Sequence, residues 1–204
     1  MAVLDDDESE APGPDPVVVL NAWYAEATRR GEAMPDAMTL ATATPDGRPS
    51  ARVVLFKGIK RGGVFFVTNY QSRKAQELAR NPRAALVMHY PLWQRQVRIE
   101  GRVERASTAE SDEYFAARAR GSQLGAWASP QSQPLAARAE LVERTRQLEQ
   151  RFASGTVPRP DFWGGYLVFP ERVELWLGRD DRLHDRWLYE LTPDGNWHSA
   201  RLAP

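Results

Sequence analysis

The sequence predicts a mainly β protein with helices, of the α+β class. Short segments rich in branched aliphatic and aromatic residues recur along the chain, separated by turn residues such as Pro45-Asp46-Gly47, which is typical of antiparallel strands. A few segments with apolar residues at helical spacing stand between them. This combination indicates a β-barrel or a β-sandwich decorated by helices, and the periodicity alone leaves both open.

The first predicted element is a helix, and most of the others are strands. Asp15 and Pro16 provide a helix start, Leu20 and Trp23 begin an apolar stripe, and Gly31 ends it. The next two elements are strands joined as a hairpin. The predicted strands cover residues 38–44, 50–57, 63–69, 83–90, 96–106, 163–169, 172–178, 182–190 and 196–202.

Three more helices are predicted between these strands. A short one, SRKAQELAR, is opened by Ser72. Ser107 and Glu110 have the spacing of a capping box, which predicts a helix running to about Arg118. A longer amphipathic helix is predicted over Pro134–Phe152.

The composition is that of an ordinary globular protein and excludes several chemistries. The chain of 204 residues is 42% hydrophobic and 26% charged, and no linker interrupts residues 17–204, so we predict a single domain there. The absence of cysteine excludes disulfides and thiolate catalysis, and the three histidines leave little material for a metal centre, so we expect no metal. No apolar run is long enough for a membrane span and no signal-peptide pattern is present, so we expect a cytoplasmic protein.

The net charge of zero hides an asymmetry along the chain. Residues 1–16 contain six acidic residues and no Lys or Arg, and we predict an acidic, disordered tail there. The remaining body carries 27 basic against 21 acidic residues, a net charge of +6. This favours anionic ligands only weakly. The basic residues are spaced along individual strands and form no patch interleaved with aromatics, so we expect no nucleic-acid partner.

Basic residues open the second predicted helix. A helix N-terminus binds phosphate well, whereas Arg73 and Lys74 directly after Ser72 are unfavourable for the helix dipole unless an anion compensates. A phosphate site and an ordinary helix start are equally good interpretations. Arg52 and Lys57, at the two ends of an apolar strand, are consistent with charges that reach solvent from opposite faces.

A third basic feature lies on the predicted helix after Ser107. Tyr114 and Arg118 are i, i+4 neighbours on one face, and Ser122 lies near the end of the helix. Two hydroxyls and a guanidinium suit a phosphate monoester. Taken alone, an ordinary amphipathic helix explains the three residues at least as well.

The stretch RLHDR is hard to explain as an ordinary strand. Arg182, His184 and Arg186 alternate, so a regular strand places all three on one face. Burying such a row without partners costs several kcal/mol, so something anionic or flat is expected against it. Asp185 points to the opposite face and is expected to hold the strand.

Eight motifs, taken in order, resemble the pyridoxine/pyridoxamine 5′-phosphate oxidase family. They are RVVLFK, TNYQSRKA, WQRQV, YFAARARGSQLGAWASPQS, FWGGY, ELWLG, RLHDR and RLAP, and the resemblance extends from about residue 18 to Pro204. It implies an FMN-binding split β-barrel that acts as a homodimer, with each flavin at the subunit interface. Residues from about 163 to 204 are then expected to complete the active site and the dimer interface.

The resemblance also implies the site residues. FMN contacts fall on Arg52, Val53, Val54, Leu55, Phe56, Lys57, Val67, Thr68, Arg73, Lys74, Gln96, Gln131, Ser132, Trp176 and Arg186. Substrate contacts fall on Lys57, Tyr114, Arg118, Ser122, Arg182 and His184. Arg182 and His184 are the expected catalytic pair. Val67 departs from the family, because some members carry an aromatic residue there.

The implied reaction oxidises pyridoxamine or pyridoxine 5′-phosphate to pyridoxal 5′-phosphate. A hydride passes from C4′ of the substrate to flavin N5, dioxygen accepts the electrons, and hydrogen peroxide leaves. Two alternatives stay open. One is a flavin oxidase of the phenazine-biosynthesis type, for which a phosphate clamp has no purpose, and the other is a non-catalytic flavin or pyridoxal phosphate binding protein.

Overall fold

The chain folds around one antiparallel sheet. A computed structural model describes residues 11–204, which form a nine-stranded sheet and five α-helices. The helices are α1 (Pro16–Arg29), α2 (Arg73–Arg80), α3 (Thr108–Ala116), α4 (Arg120–Ala128) and α5 (Arg138–Arg151). The strands are β1 (Ala37–Ala43), β2 (Pro49–Leu55), β3 (Ile59–Lys60), β4 (Gly63–Asn69), β5 (Arg83–Tyr90), β6 (Arg95–Arg105), β7 (Trp163–Leu177), β8 (Asp185–Leu191) and β9 (Trp197–Leu202).

The long strand β7 is where the sheet divides. The strand order is β2-β1-β5-β6-β7-β4-β3, and β7 also pairs with β8, which pairs with β9. The first part of β7 bonds to β4 and the last part, from Arg172 onward, bonds to β8, while β6 runs along the other edge of both parts. The strand β2 is left at one end of the sheet, with one edge unpaired in the described chain.

The sequence predicts two strands where the structure has the single strand β7. The register between β6 and β7 shifts at Glu100/Gly101, opposite Pro170, and this irregularity lets the proline stay within the strand although it has no N–H to donate. Gly101 is required there, because a Cβ would lie 2.0 Å from the carbonyl oxygen of Phe169. The proline therefore bends the pairing and does not end the strand.

The main core lies between α1 and the inner face of the sheet. Leu20 and Trp23 of α1 pack in the same buried cluster as Leu40, Leu86 and other inward-facing strand residues. A second buried cluster, formed by Phe115, Leu124, Val157 and Trp163, attaches α3 and α4 to the start of β7. The outer face of the sheet at β2 has no such cover, and Val53 there is 62% exposed.

Several predicted helix ends are confirmed in detail. Asp15 caps α1 by accepting a hydrogen bond from the backbone N–H of Val17 at 2.8 Å. Ser107 and Glu110 form the complete capping box of α3. The predictions missed α4, and the long helix α5 begins at Arg138 rather than at Pro134.

The predicted acidic tail lies mostly outside the described residues, which begin at residue 11. Its last part is ordered: Ala11 packs against the main core and the hydroxyl of Tyr189 donates a 2.8 Å hydrogen bond to the carbonyl of Gly13. Pro16 already belongs to α1, so the folded part of the chain includes residues that the prediction assigned to the tail. Among residues 11–204, no helix is long and apolar enough to cross a membrane.

Candidate active site

A cleft of about 490 Å³ opens beside the edge strand β2. Its other walls come from β4, from the first turn of α2 and from the segment that joins α3 to α4. Its lining residues are Arg52, Val53, Val54, Leu55, Lys57, Val67, Thr68, Lys74, Tyr114, Arg118, Ala119, Ser122 and Gln131. All of these except Ala119 are predicted site residues, so three separate motifs of the sequence meet in one place.

One end of the cleft is formed by Lys74 at the start of α2. Its ammonium group donates to Gln131 at 2.9 Å and to Thr68 at 3.2 Å. Burial lowers the pKa of Lys74, and the positive charge of Arg52 lowers it further, to about 8. The helix N-terminus adds its own positive potential. This end of the cleft therefore carries an excess of positive charge, which suits a phosphate group.

Arg52 lines the same end and is fixed from behind by Glu77. The guanidinium Nη1 of Arg52 donates to the hydroxyl of Thr42 at 2.6 Å, and its Nη2 donates to Ser50 and, at 3.4 Å, to Glu77. Arg73 also pairs with Glu77, at 2.8 Å. The buried carboxylate of Glu77 thus contacts both arginines predicted near the flavin phosphate.

The other end of the cleft is formed by Tyr114, Arg118 and Ser122. The prediction that one helix carries them is wrong, because α3 ends at Ala116 and Ser122 lies in the first turn of α4. Gln123 bridges the break: its side-chain amide donates at 2.9 Å to the carbonyl of Phe115, which also accepts from the backbone N–H of Arg118. All three predicted residues nevertheless line the cleft.

Arg118 is the least satisfied group in this part of the cleft. Its guanidinium lies 4.5 Å from the ring centre of Trp163, and its Nη1 is buried and has no hydrogen-bond partner within residues 11–204. Burial lowers the pKa of Arg118. Because an unpaired buried donor costs roughly 1–3 kcal/mol and a charged one more, the arrangement favours an anion at this position.

Lys57 also lines the cleft. The strand β2 ends at Leu55, so the predicted opposition of Arg52 and Lys57 across a regular strand is wrong, and both line the cleft. The ammonium group of Lys57 pairs with Asp36 at 2.9 Å. Nothing in the sequence pattern points to Asp36, whereas Glu77 is recognisable from its i, i+4 spacing to Arg73.

Three predicted cofactor residues lie next to the cleft without lining it. The side chain of Phe56 is buried in the main core, so only its backbone faces the β2–β4 region. Arg73 points outward and pairs with Glu77. Ser132, in a loop with φ of 72°, accepts a 3.2 Å hydrogen bond from the backbone N–H of Arg73.

The remaining predicted residues form a separate group on β6, β7 and β8. Gln96, Trp176 and Arg186 are directly paired across these strands. The ring of His184 lies 4.6 Å from that of Trp176. None of these side chains lines the cleft.

The RLHDR segment differs from its predicted form. The strand β8 starts at Asp185, so Arg182 and His184 precede it, and Arg182 lies in a turn with φ of 61°. An ion pair of 2.7 Å between Arg179 and Asp185 closes this turn, and His184 accepts a 3.1 Å hydrogen bond from the backbone N–H of Arg179. The same-face row of three cations is therefore wrong as a description of one strand.

Arg186 is the one cation of that row that lies within the strand. Its guanidinium forms two hydrogen bonds with Glu174, of 2.9 and 3.1 Å, and Arg98 also pairs with Glu174. The charge of Arg186 is thus compensated within the chain. Asp185 holds the strand as predicted, through Arg179 and, at 3.5 Å, Arg201.

The chain matches known proteins along nearly its whole length. A family profile described as pyridoxamine 5′-phosphate oxidase matches residues 25–152, and one described as the pyridoxine 5′-phosphate oxidase C-terminal dimerisation region matches residues 163–204. The pyridoxine/pyridoxamine 5′-phosphate oxidase of Rubrobacter xylanophilus is 56% identical over 94% of this chain and 88% of its own. That of Psychromonas ingrahamii is 51% identical over 99% and 93%.

Solved structures agree on the fold. PhzG from Burkholderia lata, in complex with tetrahydrophenazine-1-carboxylic acid, superposes with a TM-score of 0.90 at 31% identity, covering 100% of this chain and 98% of its own. A pyridoxamine 5′-phosphate oxidase-related, FMN binding protein from Nostoc punctiforme shares the fold, with a TM-score of 0.76 at 19% identity, covering 94% and 100%. The fold and the cleft define a split-barrel flavoprotein. The chain belongs to the pyridoxine/pyridoxamine 5′-phosphate oxidase family.

Proposed function

We propose that the protein is an FMN-dependent oxidase that converts pyridoxamine 5′-phosphate or pyridoxine 5′-phosphate to pyridoxal 5′-phosphate. Dioxygen is the electron acceptor and is reduced to hydrogen peroxide. With pyridoxamine 5′-phosphate the oxidation gives an imine, which water hydrolyses to the aldehyde with release of ammonia. The observation that carries the proposal is a single cleft lined by two cationic groups, one around Lys74 and one around Arg118, neither of which has an acidic partner among the described residues. A flavin mononucleotide and a phosphorylated vitamer together bring one phosphate for each end.

The cofactor end is the start of α2. Lys74 and the positive end of the α2 dipole attract the flavin phosphate, which would replace hydroxyl and amide partners such as Gln131 and Ser132, and Arg52 adds positive charge beside them. The exposed strand β2, with Val53 and Leu55 on its outer face, offers a flat surface for the flavin ring. When bound, FMN supplies the ring that accepts the electrons of the oxidation.

The substrate end is the α3–α4 junction. Arg118 and the hydroxyls of Tyr114 and Ser122 bind the vitamer phosphate, and Lys57 reaches it on exchange of its pairing with Asp36. Fixing both phosphates at set positions fixes how the two rings stack. Positioning of this kind is the main contribution a protein makes to flavin chemistry.

The C-terminal residues act from the partner subunit in this proposal. Gln96, Trp176, His184 and Arg186 lie away from the cleft of their own chain, while residues 163–204 match the dimerisation region of the family. In a homodimer, this group from one subunit completes the cleft of the other. Arg182 then covers the vitamer ring, His184 approaches its polar edge, and Arg186 faces the flavin.

Phenazine oxidation is a second candidate, favoured by the TM-score of 0.90 to PhzG. Its substrate in that complex carries a carboxylate and no phosphate. The cluster of Arg118, Tyr114 and Ser122 provides more donors than one carboxylate needs, which favours the phosphorylated substrate. The identity of 56% to a pyridoxine/pyridoxamine 5′-phosphate oxidase points the same way.

The deciding experiment follows the visible absorbance of the FMN-loaded protein. Anaerobic addition of pyridoxamine 5′-phosphate is expected to bleach the flavin bands, and admission of air is expected to restore them with release of peroxide. Pyridoxamine without its phosphate, at the same concentration, is the control and should bleach slowly or not at all. A protein that takes up no FMN, or that oxidises tetrahydrophenazine-1-carboxylic acid but not pyridoxamine 5′-phosphate, would refute the proposal.

A further inference from the structure

A buried carboxylate lies directly behind the cationic end of the cleft. Glu77, on the inner face of α2, is only 5% exposed. Burial raises the pKa of Glu77, but hydrogen bonds from Thr42, Ser50 and Arg73 outweigh it and lower the pKa to about 2. The group is therefore a full negative charge under all ordinary conditions, close to where the proposed function places a phosphate.

The two oxygens of this carboxylate hold two different arginines. One oxygen, Oε1, accepts from Nε of Arg73 at 2.8 Å. The other, Oε2, accepts from the hydroxyls of Thr42 at 2.5 Å and Ser50 at 2.7 Å, and from Nη2 of Arg52 at 3.4 Å. Glu77 thus joins α2 to β1 and β2, and sets where both guanidinium groups lie.

The network also limits how Arg52 can move. Besides its contacts to Glu77 and Ser50, its Nη1 donates to Thr42 at 2.6 Å and to the carbonyl of Leu40 at 3.2 Å. The two terminal nitrogens therefore face into the protein, while Arg52 still lines the cleft. A long side chain with several rotamers is held in one, so little conformational entropy is lost when an anion binds beside it.

We infer that Glu77 is a positioning residue for the flavin phosphate, which it never touches. It fixes Arg52 and Arg73 around the start of α2, so that their charges are already in place when the phosphate arrives. This rests on the proposed function, which places the FMN phosphate there. A negative charge near the phosphate weakens anion binding, so at this site the orientation of the two arginines outweighs the repulsion.

The test compares FMN with riboflavin, which is the same ring without the phosphate. Dissociation constants of both for the apoprotein are measured by quenching of flavin fluorescence, for wild type and for Glu77→Gln. Glutamine has the same shape but cannot accept from both arginines at once. The expected result is a loss of roughly tenfold in FMN affinity, which corresponds to about 1.4 kcal/mol, with riboflavin affinity unchanged.

A double-mutant cycle shows whether Glu77 acts through Arg73. In an Arg73→Ala background, the loss caused by Glu77→Gln should shrink, because one of the two groups that Glu77 positions is gone. Equal losses for FMN and riboflavin would mean that the substitution only loosens the fold, and would overturn the inference. Unchanged or tighter FMN binding would overturn it too, by showing that the charge of Glu77 has no effect on phosphate binding or weakens it.

A milder variant covers the case in which Glu77→Gln does not fold. Ser50→Ala removes only the hydroxyl that donates to Glu77 and accepts from Arg52. A loss of about threefold that affects FMN and spares riboflavin is expected when these two hydrogen bonds are removed, and no loss would count against the inference. If wild type binds riboflavin as tightly as FMN, the proposed phosphate site is refuted. If wild type prefers FMN and the variants keep the same ratio of FMN to riboflavin affinity, only the role of Glu77 is refuted.

Discussion

The predicted site residues in the cleft and those on β6, β7 and β8 differ in how far their charges are paired within the chain. In the cleft, burial lowers the pKa values of Lys74 and Arg118, and Nη1 of Arg118 has no partner within the described residues. On β8, Arg186 is compensated by Glu174, and Asp185 by Arg179. The cleft leaves Lys74 and Arg118 without an acidic partner among the described residues, although Arg52 and Lys57 are paired. Arg186 instead has a carboxylate partner in Glu174, which it shares with Arg98.

This difference indicates what each region does. Uncompensated buried cations are costly unless an anion binds, so the cleft gains most from ligands that carry phosphate. A compensated and well-ordered strand gains little from an anion, and instead presents a fixed surface formed by Trp176 and His184. We therefore expect cleft variants to lose binding, and variants of the C-terminal group to lose turnover.

The largest difference between the effect on turnover and the effect on FMN binding is expected from Arg182→Ala. Arg182 lies in the exposed turn before β8 and contributes nothing to the cleft of its own chain, so the variant should keep its FMN content. Loss of the group that covers the substrate ring should lower kcat by about 100-fold, as misplacement of a reacting ring does. Stopped-flow flavin reduction and the flavin-to-protein absorbance ratio measure the two effects. Loss of flavin in proportion to activity would erase the distinction between the regions.

Mixing two inactive variants tests whether the regions act across subunits. Arg118→Ala damages the cleft and Arg182→Ala damages the C-terminal group. Dimers reassembled from both chains should recover about a quarter of wild-type activity, because half of randomly paired dimers are mixed and one of their two sites receives both intact groups. Activity is measured after unfolding and refolding the mixture.

The matched control mixes two variants of the same region, Arg118→Ala and Tyr114→Phe. Both changes then fall in the cleft, so no combination of subunits can restore a site with an intact cleft. No recovery in the first mixture, with mixed dimers verified by mass, would place the C-terminal group on its own chain's cleft and would contradict the proposal.

The sequence predicted the elements well and the junctions poorly. Local signals such as the Asp15 cap and the Ser107–Glu110 capping box depend on a few neighbouring residues, so they are visible in the sequence. Where α3 ends at Ala116, the carbonyl of Phe115 accepts from the side chain of Gln123, which lies seven residues beyond Ala116. Such tertiary contacts override the helical pattern that linked Tyr114 to Arg118.

The site shows the same limit. The resemblance to a family named the residues of the cleft, but only the fold shows that Arg118 is unpaired and that Lys57 pairs with Asp36. The alternation of RLHDR predicted one strand face, and the ion pair of Arg179 with Asp185 instead forms a turn there. A periodicity of two says nothing about where a strand begins when its first residues can pair elsewhere.

A smaller effect is expected from Lys74→Ala, and it should fall on binding. Removing one charge-assisted contact to the phosphate should weaken FMN binding by about tenfold. With FMN added to saturation, kcat should stay close to that of wild type, because Lys74 lies at the end of the cleft away from Tyr114 and Arg118. Fluorescence titration and steady-state kinetics at saturating FMN give the two numbers. A fall in kcat that added FMN cannot reverse would assign Lys74 to the chemistry instead.

The smallest effect is a pH dependence of FMN binding that comes from the same lysine. The pKa of Lys74 is lowered to about 8, by burial first and by Arg52 second. A phosphate dianion favours the charged form, so FMN binds best below pH 8 and its affinity falls as pH rises through that value. Because binding is linked to one proton, the loss between pH 7 and pH 9 is about tenfold at most.

Stability of the apoprotein should change in the opposite direction over a neighbouring range. The folded pKa of Lys74 lies below its ordinary value of 10.5, so the charged form is disfavoured by folding. The stability contribution is therefore fully present above about pH 10.5 and is lost as pH falls through about 8. Lys74→Arg is the matched control, since arginine stays charged throughout and should flatten both profiles. If the FMN affinity of Lys74→Arg falls with pH as in wild type, another group controls the titration, and the cleft's cationic end is not set by Lys74.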